Sequence, residues 1–451
     1  MTVKVRFAPS PTGFLHVGNI RTAIINFLYA KKNQGQFILR LDDTDQQRVQ
    51  QQYRDMIIKD MAWLNLSYDH FFKQSDRLER YQQAKQQLID SNRLYECYET
   101  EEELNLQRKS QIASGIPPIY NRNALKLTAE QKAQYRLQGI KPYYRFLLSD
   151  NPISWDDKIK GKITYEGRHF SDPVLVRQED ETGFGIPTYT FCSVVDDIDL
   201  NITDIIRGED HVTNTAIQIQ IFQALTNKVP SFAHLALVKA SAGKISKRIG
   251  GFDINTLRND GYEPMTIVNL LAQIGTSDAL QIYQDYQGLI DNFDFAKFSK
   301  SATNYDITEL NNINQKLLQV IDYPQVLSRL NNNQSKITEK FFNVFKGNIT
   351  FIDELNHWLE LCYQPFRYAN QVKDQEFLKQ IINYLPADTT NENAWQIWLD
   401  TIKKNTDRTG KNLFMPIRLA LTGQESGVEL KHLVNFIARD EIINRLSSID
   451  E

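Results

Sequence analysis

Over residues 1–73, short apolar strings alternate with longer segments whose apolar residues recur at helical intervals. Val3, Val5 and Phe7 alternate with their neighbours as in a strand, and QFILRL at Gln36–Leu41 is a compact apolar strand. Between them Ile20, Ala23, Ile24, Phe27 and Leu28 stand at i, i+3, i+4, i+7 and i+8, one stripe of a helix. Val49, Tyr53, Met56, Ile57 and Trp63 repeat helical spacing after the second strand. Strand, helix, strand, helix in this order predicts a parallel sheet with crossover helices.

From Gln74 to Ile186 the pattern changes to a helix, a proline-marked loop at Gly115–Pro118, and short strands at Tyr143–Leu148, Ile163–Tyr165 and Val174–Gln178. The sheet pattern resumes near Thr188 and gives way to a loop-helix segment over 240–311. Beyond Asn311 strand signals fade. Leu317, Val320 and Ile321, then Phe341, Phe342 and Phe345, then Trp358, Leu359 and Cys362 keep helical periods, which predicts an all-α region over 312–451.

At 451 residues the chain is too long for one ordinary core and suits about two to four domains. With 41% hydrophobic and 24% charged residues it reads as globular and soluble. The net charge is −3, and from Asp306 onward 16 Lys and Arg face 19 Asp and Glu. Bulk basicity therefore gives no sign of a nucleic-acid partner, which would need cations clustered on one face. Cys97, Cys192 and Cys362 are odd in number and far apart, which argues against a disulfide framework and for a reducing compartment. No apolar span reaches the ~18 residues of a membrane helix, and no basic start leads into an apolar stretch, so the expected location is cytoplasmic with no membrane partner.

Candidate chemistry concentrates in two strings. RFAPSPTGFLHVGN, Arg6–Asn19, joins the first strand to the first helix; Pro9, Pro11 and Gly13 keep the junction irregular, and Asn19 is the expected N-cap. Amides at the helix start are placed to receive phosphate oxygens. His16 adds a donor for a triphosphate without a permanent charge, and Gly18 lets the backbone approach the nucleotide closely. KISKR at Lys244–Arg248, flanked by small residues and by Gly250 and Gly251, is a loop carrying Lys244, Lys247 and Arg248. Such cations suit a departing pyrophosphate, whose charge develops in the transition state. Together the two strings point to ATP and adenylate chemistry.

The pair resembles the HIGH and KMSKS signatures of class I aminoacyl-tRNA synthetases. RFAPSPTG, RLDDTD at Arg40–Asp45, PTYTFCSVVDD at Pro187–Asp197, IIRGEDH at Ile205–His211, LRNDGYEP at Leu257–Pro264 and LALTGQESG at Leu419–Gly427 resemble the bacterial glutamyl-tRNA synthetase family in order and spacing, over nearly the whole chain. The resemblance implies an α/β Rossmann-type parallel-sheet catalytic core, with halves at 1–73 and 187–239 inside a catalytic region 1–311. It places an inserted α+β acceptor-binding domain at 74–186 and an all-α anticodon-binding domain at 312–451. It implies ligation of L-glutamate to tRNA(Glu) through a glutamyl-adenylate by a monomer, with ATP and Mg²⁺, and leaves open whether tRNA(Gln) is charged as well. A glutamyl transferase acting on queuosine-modified tRNA lacks the C-terminal helical region, and a catalytically silent tRNA-binding paralogue would not need both ATP signatures.

By the same resemblance Arg6 and Arg207, at strand ends facing the ligand crevice of an open sheet, hold the substrate side-chain carboxylate as planar bidentate donors that an amide would not satisfy. Ala8, Ser10 and Tyr189 belong to the glutamate pocket. Asp42 faces the substrate ammonium, where the family more often has Glu, and Ser193 replaces an expected asparagine. His16, Gly18, Lys244, Lys247 and Arg248 serve the phosphates, while Asn19 and His211 belong to the adenosine site or the pocket wall. His234, in SFAHLALV, fits a place beside the nucleotide and fits a buried structural histidine equally well. Asp43 and Asp45 are expected to cap the helix that follows. Some bacterial members carry Cys-x-Cys and Cys-x-His zinc ligands in the inserted domain; here Cys97 is followed by no Cys or His from Tyr98 through Gly167, so no zinc is expected.

Overall fold

The computed structural model describes residues 2–45, 48–180, 183–240, 252–327, 329–330, 336–365 and 374–447. The KISKR string lies outside the described residues. The chain divides into two compact units, Met1–Asp260 with Ile267–Ile307, and Gly261–Thr266 with Thr308–Glu451.

In the first unit β1 (Lys4–Phe7), α1 (Val17–Lys32), β2 (Gln36–Leu41), α2 (Gln51–Trp63) and β3 (His70–Lys73) follow one another, and the three strands pair in parallel in the order β1-β2-β3. The predicted stripe of α1 is buried, and so are Ile25, Asn26 and Ala30, so the helix is covered on more than one side. Next come α3 (Leu78–Asp90), β4 (Leu94–Cys97), α4 (Glu101–Ala113), α5 (Ala129–Leu137), β5 (Tyr143–Phe146), β6 (Pro152–Asp157), β7 (Gly161–Glu166) and β8 (Val174–Val176). Then α6 (Tyr189–Asp199), β9 (Asp204–Gly208), α7 (Val212–Leu225), β10 (Ser231–Leu235) and β11 (Val238–Ala240) complete the run, β11 pairing with β12 (Thr303–Tyr305).

β9 and β10 are parallel, and β9 adjoins β1, where Thr203 N donates to the Lys4 carbonyl at 3.0 Å and Lys4 N donates to Thr203 Oγ1 at 2.9 Å. Strand order thus runs outward from β1 in one direction and from β9 in the other. At such a reversal the carboxyl ends of the strands leave a crevice. It opens beside Phe7 and Gly208.

Two strands in the 74–186 segment belong to this core. β6 pairs in parallel with β10 through Phe232 and Asp157, and β7 pairs antiparallel with β6, giving the order β7-β6-β10-β9. Their short, charge-rich pattern is that of any surface hairpin; only pairing with a strand far along the chain assigns them to the central sheet. What remains of the segment includes the antiparallel sheet β4-β5-β8 and a small core of Tyr95, Cys97, Tyr120 and Ala124. Burial pushes the Cys97 thiol up to about 12, so it stays protonated. Among the described residues no three His, Cys, Asp or Glu side chains cluster as metal ligands.

In the second unit the described residues from 308 onward form helices and turns, with Phe341, Phe342, Phe345, Trp398, Leu413 and Ile417 in a common core. Arg445, 2% exposed, is a polar exception with a clear use. Its Nη1 donates to Leu421 O at 2.8 Å and its Nη2 to Leu361 O at 2.7 Å and Gln364 O at 3.0 Å, satisfying carbonyls that the ends of helices Glu354–Tyr363 and Lys411–Thr422 leave unpaired.

Candidate active site

The helix that leaves the crevice starts differently from the expectation. His16, not Asn19, is the N-cap of α1: its Nδ1 accepts from Gly18 N at 3.1 Å and Asn19 N at 3.4 Å, while Asn19 Oδ1 accepts from His16 N at 3.3 Å. This reciprocal cap, with Val17 N donating to Phe252 O at 3.0 Å, occupies the first-turn amides that seemed free for phosphate. The donor left for an anion is Nε2–H of His16, a tautomer set because Nδ1 accepts. Partial enclosure lowers the His16 pKa, against Asp210, so the ring is neutral near pH 7. Gly18 has a use the sequence did not reveal. A Cβ there would lie 3.0 Å from His16 Cε1 and 3.1 Å from Nδ1, tight enough that the ring would have to shift by a few tenths of an ångström.

The chain on either side of residues 241–251 is tied to the same place. Ile254 N donates to Leu15 O at 3.0 Å, the His16 and Phe252 rings lie 6.0 Å apart, and Val238 lines the cleft that contains His16. Two strings separated by more than two hundred residues of sequence thus have their described neighbours at one site; Lys244, Lys247 and Arg248 themselves fall outside the described residues.

Arg6, Ala8, His16, Gly18, Asn19, Tyr189, Arg207 and His211 line one cleft. Both arginines are buried, at 3% and 5% exposure, which is tolerable for a cation only with partners. Arg6 commits Nε and Nη2 to Asp197, at 3.0 and 3.2 Å. Arg207 commits Nη2 to Thr215 Oγ1 and Gln218 Oε1, each at 2.7 Å, while its buried Nε and Nη1 have no acceptor within 3.5 Å, the Tyr189 hydroxyl being the neighbouring polar group that acts on this guanidinium. Both forks of a guanidinium share Nη2, so neither arginine retains a complete fork for a bidentate grip. That expectation gives way to a different geometry, in which Nη1 of Arg6 and Nη1 and Nε of Arg207 are the spare donors.

Residues 2–312 match the family described as tRNA synthetases class I (E and Q), catalytic domain, and residues 313–449 match an anticodon binding domain. The chain belongs to the class I tRNA synthetases of the E and Q type. Glutamate–tRNA ligase 2 of Orientia tsutsugamushi (strain Boryong) is 48% identical over 449 residues, 99% of each chain. Glutamate–tRNA ligase 1 of Rickettsia akari (strain Hartford) is 47% identical over 448 residues, again 99% of each. A crystal structure of a glutamate tRNA ligase from Elizabethkingia meningosepticum CCUG26117, in complex with its amino acid, superimposes with a TM-score of 0.86 at 25% identity, covering 99% of both chains.

Behind the cleft of this synthetase lies an ionic network that the motifs did not reveal. Asp197 Oδ1 accepts from Arg6 and also from Arg40 Nη1 at 2.9 Å; Arg40, fully buried, donates in turn to Asp42 Oδ1 at 2.5 Å and Oδ2 at 3.1 Å. The neighbouring Asp196 takes Gln74, Arg77 and Tyr81. A readable signal existed: an Asp-Asp pair directly after the apolar string FCSVV, on a helix turned inward. Asp42 is thus engaged by Arg40 through both oxygens, and with Ser10 and Tyr189 it lines a second cavity that adjoins the first at Tyr189. A carboxylate offers about four acceptor sites, so Asp42 retains capacity for another donor.

Several expected positions move. Ser193 is fully buried, accepts from Gln218 Nε2 at 2.8 Å, and does not line the cleft. His234 is fully buried against Asp157 and is no pocket wall. Its strand is covered on both faces, with Phe232, Ala233, His234 and Leu235 all buried, so the histidine sits inside the sheet's packing. His211 remains at the cleft, 5.7 Å from the Tyr189 ring. Asp43 and Asp45 do not cap α2, whose N-cap is Gln50; Asp43 holds Ser75 N at 2.8 Å and Arg54 Nη2 at 2.8 Å, and Asp45 pairs with Arg48. Arg21, absent from the motifs, donates from the core to Ala236 O at 2.7 Å and Ile274 O at 2.9 Å, holding the cleft wall to α1.

Proposed function

We propose that this synthetase ligates L-glutamate to tRNA(Glu) through a glutamyl-adenylate. The observation that carries the reading is Arg207: a buried cation lining the cleft with no carboxylate hydrogen-bonded to it is suited to an anionic ligand, and a side-chain carboxylate supplies one. Arg6 Nη1 takes the same group from the other side. Asp42 accepts from the substrate ammonium, with Tyr189 between the two cavities. The α-carboxylate then attacks the ATP α-phosphate, the bond to the β-phosphate oxygen breaks, and pyrophosphate leaves with its charge met by His16 Nε2–H and by Lys244, Lys247 and Arg248. The terminal adenosine 2′-hydroxyl of tRNA next attacks the activated carbonyl and releases AMP. No side chain forms a covalent bond; positioning and charge stabilisation supply the rate. Mg²⁺ would screen the phosphates, and since Asp210 is the one carboxylate among the described lining residues, it would be held chiefly by phosphate oxygens.

The C-terminal unit selects the tRNA, and the protein acts as a cytoplasmic monomer; its three cysteines are free and buried, and among the described residues no helix is long and apolar enough to cross a membrane. Pyrophosphate exchange in the presence of tRNA tests the amino acid. Glutamate should support it and glutamine should not; equal rates would overturn the assignment. Charging tRNA(Glu) and tRNA(Gln) side by side then decides the acceptor, tRNA(Glu) being expected.

Asp42 also predicts a pH dependence. Burial raises its carboxyl to about 6, opposed by Arg40. The ammonium needs the ionised form, which is present above that value and lost as pH falls through it. The kcat/KM for glutamate should therefore decline below pH ~6, and Asp42→Asn should abolish that acid limb while lowering the plateau. An acid limb of unchanged position in the variant would assign the titration to another group.

A further inference from the structure

Behind Arg207 runs a chain of buried polar groups drawn from three strands of the sheet and one helix packed on it. Arg207 Nη2, on β9, donates to Thr215 Oγ1 on α7 at 2.7 Å; that oxygen lies 2.9 Å from His234 Nε2 on β10; and His234 Nδ1 lies 2.5 Å from Asp157 Oδ2 at the end of β6. Thr215 and His234 are fully buried and Asp157 is 4% exposed. Asp157 is itself fixed, its Oδ1 accepting from Ile159 N at 3.0 Å, Lys160 N at 2.9 Å and His234 N at 3.2 Å. The His234 ring stacks on Phe232, with 6.3 Å between centroids and 9° between planes, so it has little freedom to turn.

An apolar core would fill this volume without three polar desolvations, which makes the chain expensive as mere packing. Its donors run one way: with an ionised Asp157, His234 donates through Nδ1 and accepts at Nε2 from the Thr215 hydroxyl, and Thr215 accepts from Arg207. Burial keeps His234 from charging, against the pull of Asp157. The Thr215 hydroxyl has one rival acceptor, His211 O at 3.2 Å, longer than the imidazole contact.

We infer that Thr215, His234 and Asp157 form a positioning relay that fixes the guanidinium plane of Arg207, so that this cation meets the substrate carboxylate in a single orientation. This rests on the assignment of Arg207 to that carboxylate. The residues act through Arg207 and touch no reacting atom.

Thr215→Val in the full-length enzyme removes the hydroxyl with little change of shape. The KM for glutamate should rise about tenfold, the loss of one hydrogen bond to a charged group, with the KM for ATP unmoved and Thr215→Ser restoring the glutamate value. A merely structural threonine would lower the melting temperature and leave the two KM values in their original ratio. An unchanged glutamate KM in Thr215→Val, or an equal rise in Thr215→Ser, overturns the relay. Asp157→Asn is the second variant, deciding the matter should Thr215→Val not fold: its glutamate KM should also rise, and an unaltered value refutes the proposal. Arg207→Ala separates the two levels. If that variant binds glutamate normally, the carboxylate assignment has failed; if it alone is impaired, only the relay has.

Discussion

Replacing Arg207 by alanine is expected to lower kcat/KM for glutamate by roughly ten- to a hundredfold. A hydrogen bond between charged groups contributes about 1.5–3 kcal/mol, and with each ~1.4 kcal/mol worth a factor of ten, losing the contact of Arg207 with the carboxylate costs between about ten- and a hundredfold. The KM for ATP should stay near the wild-type value, because the His16 cap shares no hydrogen bond with Arg207. Arg207→Lys should recover little: an ammonium retains the charge but cannot hold Thr215 and Gln218 while also reaching the ligand. Steady-state charging with each substrate varied in turn gives the answer. Parallel losses for glutamate and ATP would mean that the variant damages the whole crevice and that Arg207 is not a specificity residue.

The second large effect concerns stability. Asp197→Ala removes the shared acceptor of Arg6 and Arg40, which are 3% and 0% exposed. Two buried guanidiniums would then face each other across the gap, and breaking a buried pair by deleting one partner costs about 3–5 kcal/mol. An earlier urea midpoint for the unit that contains the sheet is the expected reading. Asp197→Asn should be milder, since an amide oxygen in the place of Oδ1 still accepts from Arg6 Nε and Arg40 Nη1. A midpoint within experimental error of wild type for the alanine variant would show that Asp42 and Asp196 suffice to balance Arg40, and that Asp197 is dispensable.

The helices and strands that carry the chemistry were legible because their signals are local. Val5 and Phe7 alternate, and Ile20, Ile24 and Leu28 form a stripe, whatever lies far along the chain. Caps were less legible. His16 outcompeted Asn19 because an imidazole nitrogen can accept from amides as an oxygen can, a use of histidine that propensity does not anticipate. Asp43, at a position suited to capping, turned instead to Ser75 and Arg54, partners that the chain return at residue 75 brings to it.

The residue types at the crevice and their order along the chain were set by sequence alone: a loop with His16 after the first strand, three cations in KISKR, arginines at two strand ends, and a helical region after Asn311. Those are statements about single segments, and local sterics and hydrophobic period suffice for them. What each arginine can still donate was decided only in three dimensions. Arg6 gave Nε and Nη2 to Asp197, and Arg207 gave Nη2 to Thr215 and Gln218, because burial obliges a cation to find acceptors wherever the fold supplies them. Likewise β6 joined the central sheet through one register contact with β10, and that pairing brought Asp157 under His234. Hydrogen-bond partners separated by tens or hundreds of residues leave no periodic trace in a sequence. Only the packed sheet, which places β1, β9, β10 and β6 side by side, determines which donors remain for the substrate.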